Sequence, residues 1–138
     1  MLPVLLLYGK GRNMFEERDY MMRLVHELIR TLIRLIFEID IDQYREKKVP
    51  AEIEEQYRKL KKMTEEGQIN EAENLLSDWM DPRDRQQFLL ALLFYEELNQ
   101  KEDAFLAEHG YSRQEIRDGV VSAAGLYGYG SMAETFAE

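Results

Sequence analysis

Eight consecutive apolar residues, Phe88-Leu-Leu-Ala-Leu-Leu-Phe-Tyr95, stand between Gln86-Gln87 and Glu96-Glu97. Leu, Phe and Ala dominate the run, β-branched residues are missing from it, and Asp81-Pro82 upstream reads as an N-cap followed by a first helical position. The spacing predicts a helix over roughly residues 82–98. At 100° per residue its side chains point in every direction, so no single neighbour can cover them. Such a helix belongs in the middle of a bundle.

The rest of the composition agrees. The chain has 138 residues, 45% hydrophobic and 33% charged, enough for one compact core and not two. Val and Thr are scarce beside Leu, Ile, Glu, Arg and Met, so the expected class is all-α. There is no cysteine, which removes disulfides, thiolate metal sites and a thiol nucleophile, and suits the cytoplasm. A net charge of −9 argues against nucleic acid, whose phosphates need a basic surface.

Residues 1–13 fit the remainder poorly and lack the flanks of a secretory signal. They read as an N-terminal extension, with two readings open. Gly9-Lys-Gly-Arg-Asn13 can be encoded by purine-rich triplets resembling a ribosome-binding site, which places the start at Met14. Alternatively Asn13 and Glu16 have capping-box spacing and belong to the fold. Residues 14–127 are expected to form a single helical domain and 128–138 a loosely held tail.

From Glu16 to Ile39 the apolar residues cover about half the helical surface, wider than the ~100° stripe that one neighbour needs, so this helix must touch two other helices, or one helix and a second copy of the protein. Met22, Ile29 and Ile33 on its edge are the expected self-association surface of a homodimer. Arg and Glu along the helix argue against a span, at ~2.5–3.5 kcal/mol each in lipid. Lying flat on a membrane, with Arg23, Arg30 and Arg34 toward headgroups, is the alternative use. Ile41–Val49 reads as a connection. Pro50 opens the next helix, with Glu52, Glu54 and Glu55 complementing its dipole. Its basic group, Arg58, Lys59, Lys61 and Lys62, has i,i+4 acidic partners and reads as a solvated face.

Gly67 ends that helix, and another follows with Ile69, Ala72, Leu75, Leu76 and Trp79 along one side, giving an antiparallel hairpin. Gly67-Gln-Ile-Asn-Glu-Ala-Glu-Asn-Leu-Leu76, followed by Asp81-Pro82, resembles the turn and second helix of a tetratricopeptide repeat. Leu60 and Trp79 stand where that repeat places small residues. Residues 14–127, opening Met-Phe and continuing through Tyr20-Met-Met-Arg-Leu24, also resemble a family of small uncharacterised bacterial proteins. The resemblances imply a TPR-like bundle of antiparallel hairpins with five or six helices, and no activity.

Beyond the central helix, Ala104–Ala107 is expected to be a short helical segment ending at Gly110. Ser112 with Glu115 has capping-box spacing and starts a last helix, along which Ile116, Val120, Ala123, Ala124 and Tyr127 share a face. Gly119 and Gly125 weaken it by ~1 kcal/mol each relative to Ala.

Chemistry-bearing patterns are sparse. No Glu-x-x-His pair marks a di-iron bundle. His26 and His109 read as surface or boundary residues. The acidic pairs, such as Glu96-Glu97, splay about 100° apart and cannot clamp one ion from a single helix. Gly125-Leu-Tyr-Gly-Tyr-Gly130 follows a helix rather than a strand, which is not the context of a phosphate loop. The expectation is therefore a non-catalytic protein-interaction or scaffold module without a cofactor or metal. A peripheral membrane protein and an enzyme of unrecognised class are the alternatives.

Overall fold

A computed structural model describes residues 14–38 and 50–137. The expectations for residues 1–13 and 41–49 lie outside them. The described residues form seven helices and no strand: α1 (Met14–Phe37), α2 (Ala51–Glu65), α3 (Ile69–Trp79), α4 (Arg85–Asn99), α5 (Asp103–Glu108), α6 (Arg113–Leu126) and α7 (Gly130–Ala137).

α4 is the middle of the bundle. Twelve of its fifteen residues are buried, the whole Phe88–Tyr95 run among them, and α1, α2 and α6 all pack on it. Its first residue is later than Asp81-Pro82 suggests, because Asp84 is the N-cap and accepts from the Gln86 amide. Asp81 instead folds the link before it, taking the Arg83 amide at 2.9 Å. That link is tied down from α6, where the Tyr127 hydroxyl donates to the carbonyls of Asp81 and Asp84 at 2.8 and 3.1 Å.

α1 lays Val25, Leu28, Ile29, Leu32, Ile33 and Ile36 into the core, the i, i+3, i+4 rhythm of one helix face. The expected seam draws on this same face. Ile29 and Ile33 are fully buried within a single chain, so in this fold they present nothing to a partner, and Met22 is only partly covered. The face that sequence reasoning assigned to a second copy is consumed by α4, α6 and α7. The same burial leaves α1 no broad apolar face with which to lie on a membrane. Among the described residues no helix is long and apolar enough to cross one.

The hairpin turn forms as expected. Gly67 takes φ +86°, its amide bonds the Thr64 carbonyl, and the Gln68 amide bonds that of Met63 at 2.8 Å. This paired closure needs a residue at ease with positive φ. The same closure recurs after α5 and after α6, at Gly110 and Gly128, so each of these helices hands directly to the next.

Ser112 caps α6, accepting from the Glu115 amide at 3.3 Å, while its hydroxyl donates to the Glu115 carboxylate at 3.1 Å. Residues 130–137, within the segment expected to be a loose tail, form α7, which packs on α1 and α6 and buries Ala133 completely. Tyr127 and Tyr129 stack on Phe88, with ring centres 4.8 and 6.0 Å away. The Gly125-Leu-Tyr-Gly-Tyr-Gly130 stretch is therefore a helix end and an aromatic clasp. Gly128 makes the turn, and the two tyrosines cover the first aromatic of the central run.

Candidate functional site

α3 packs mainly on α2, α6 packs on α4, and the two are not themselves closely packed. Between them lies a groove with Glu73, Asn74 and Ser77 on the α3 side and Gly119, Ser122 and Leu126 on the α6 side. Its volume is about 470 Å³. Tyr95, from the central helix and only 5% exposed, sits at the bottom.

Gly119 is what lets that ring in. A Cβ at position 119 would collide with the Tyr95 ring and its hydroxyl, so the helix-weakening residue is required by a close approach. The hydroxyl then reaches across to α3 and donates to Glu73 Oε2 at 2.5 Å. Tyr111, 3% exposed at the start of α6, donates to the same oxygen at 3.0 Å. Two phenols from different segments thus hold one carboxylate oxygen.

Both phenols are held protonated. Burial pushes Tyr95 far above the ordinary tyrosine value, and the neighbouring Glu73 charge pushes it further. Tyr111 moves the same way for the same reasons, with Glu115 and Asp118 adding to the effect. They are permanent donors, and the carboxylate is their acceptor. Glu73 makes no ion pair among the described residues, and it is the only carboxylate lining the groove, which no Lys or Arg lines.

A second polar site joins α1 to α4. His26 Nδ1 lies 2.8 Å from Glu96 Oε2, which also accepts from Gln100 at 3.1 Å. The Asn99 amide donates to the Met22 carbonyl at 2.9 Å. Glu96 is 7% exposed, and its Oε1 has no partner. Sequence reasoning left His26 at the boundary because its partner is seventy residues away; no local spacing announces the pair. Glu96 and Glu97 do splay apart: Glu97 turns instead to the Tyr57 hydroxyl at 3.2 Å and Lys101 at 3.5 Å. This arrangement fastens two core helices, and half-exposed His26 and exposed Gln100 line, with Glu96 and Asn99, a shallow cavity of about 330 Å³.

His109 is structural. Its Nδ1 lies 2.8 Å from the Phe105 carbonyl oxygen, and its ring covers Gly67 where a side chain there would collide. Among the described residues no group of His, Asp and Glu is arranged to hold a metal ion.

The described chain is thus an all-helical bundle with an open groove between α3 and α6 that a single carboxylate among the described residues lines. Over residues 14–128 it matches the family described as a family of unknown function, DUF6483, and the chain belongs to that family. No curated protein and no solved structure matches it.

Proposed function

We propose that this chain is a non-catalytic interaction module whose α3–α6 groove receives a segment of a partner protein. One observation carries the reading: a concave surface lies between α3 and α6 over Tyr95, where the Glu73 carboxylate has no cationic partner among the described residues. Ser77, Ser122 and Asn74 on the flanks offer hydrogen-bond groups for a peptide backbone, and Leu76, Met80 and Leu126 offer apolar contact. The α2–α3 hairpin with its Gly67 closure supports a TPR-like use of α3 as one wall of a ligand groove. The lack of cysteine in the whole sequence fits a cytoplasmic setting. The homo-oligomer expected from the sequence would have to use a face other than Ile29 and Ile33, which the core consumes.

Filling the groove tests the reading. Ser122 is exposed on α6, so Ser122→Trp places a large ring across the groove while leaving the core alone. Tagged wild-type and Ser122→Trp chains are expressed in the native cells, and the variant's fold is checked by circular dichroism. A protein recovered with the first and lost with the second is expected. Identical recoveries overturn the proposal.

A further inference from the structure

The two oxygens of Glu73 are not equivalent. Oε2 already accepts from Tyr95 at 2.5 Å and from Tyr111 at 3.0 Å, two hydrogen bonds for an oxygen with two lone pairs. Oε1 has no hydrogen bond among the described residues and is not sealed from solvent. A planar guanidinium grips a carboxylate best through both oxygens at once, whereas an ammonium needs only one. Arginine's preferred geometry is closed here, and lysine's is open.

Resting on the interaction-module reading above, we infer that Glu73 reads a lysine ammonium on a peptide segment laid between α3 and α6. Charge complementarity selects the partner. Among the described residues Glu73 is the sole carboxylate lining the groove and no Lys or Arg lines it, and the chain carries −9 overall. The two tyrosines position the carboxylate before the ligand arrives, so little ordering cost falls on binding. They are positioning residues, and the contact itself belongs to Glu73.

A random heptapeptide library displayed on phage, selected on the full chain, tests the inference. Peptides with lysine at one fixed position are expected, and Ser122→Trp should abolish their binding. Glu73→Gln should weaken it roughly tenfold to a hundredfold, as expected for loss of one charge-assisted hydrogen bond. The Gln side chain still offers an oxygen to the tyrosines. Should that variant misfold, replacing the peptide's lysine by norleucine reads the same contact on the unaltered protein and should show the same loss. Peptides that depend on the groove but favour arginine, or carry no fixed cation, overturn the lysine inference and leave the groove reading standing. A selection that yields no peptide sensitive to Ser122→Trp overturns both.

Discussion

Gly119 and Gly125 look alike in the sequence, two glycines within one helix, yet their surroundings are opposite. A Cβ at 119 meets the Tyr95 ring, and a Cβ at 125 meets nothing within 4 Å. Gly125→Ala should therefore stabilise the chain by about 1 kcal/mol, the ordinary helix-propensity gain. Gly119→Ala should lose about 1–3 kcal/mol to overpacking despite the same gain. Urea unfolding of the two variants against the parent checks the opposite signs. Tyr111 offers a second test, through pH. Its folded-state value lies above that of an unfolded tyrosine, so the stability it contributes is complete below the unfolded value near ~10 and is lost as pH rises beyond it. Between about pH 9 and 11 the parent should lose about 1.4 kcal/mol that Tyr111→Phe does not, because only the unfolded hydroxyl titrates in that window. A gap between parent and variant that stays constant across the range would show that the hydroxyl is not held neutral by the fold.

At the scale of the elements, the joints hold as much information as the helices. The last carbonyls of α4 have no partner within the helix, and Arg113, buried at the start of α6, supplies one. Its Nη1 donates to the Asn99 carbonyl at 2.5 Å, and Nη2 to the Lys101 carbonyl at 2.9 Å and to Asp103 at 2.6 Å. One guanidinium thus closes α4, anchors α5 and begins α6. Arg113→Met should cost about 2–3 kcal/mol, since it leaves buried carbonyls unmet. Arg113→Lys should recover little, because one ammonium cannot span the forked set of acceptors. Thermal unfolding orders the three chains, and a lysine variant as stable as the parent would show that charge alone suffices. Ser112 as a cap and Gly67 as a turn were legible because both signals are local. Arg113 was not, because the residues that explain it lie ten and more positions upstream.

For the whole molecule, the burial of α1 changes what a mutation should do. With Ile29 on a dimer seam, Ile29→Glu would release a soluble, folded monomer. Here the side chain is fully enclosed by the chain's own core, so the charge has neither water nor a partner. The variant should lose at least about 3 kcal/mol and show a collapsed thermal transition by circular dichroism. A folded variant with an unchanged melting profile would mean that α1 is not seated as described.

Local chemistry in the sequence determined a great deal: the all-helical class, the boundaries of α1 to α6 to within a few residues but not the existence of α7, and the central place of Phe88–Tyr95, since an element apolar on every side is stable only when surrounded. It also left one surplus, the wide apolar arc of α1, which either further helices or a second copy could cover. Tertiary packing decided that the surplus is spent inside, because α7 forms and joins α4 and α6 in covering it. Packing alone also brought Tyr95, Tyr111 and Glu73 together from three segments, beside a glycine whose purpose only the neighbouring ring reveals. Periodicity records which face of a helix is apolar; which neighbour meets that face, and which polar groups converge beside it, depends on contacts between residues far apart in the chain.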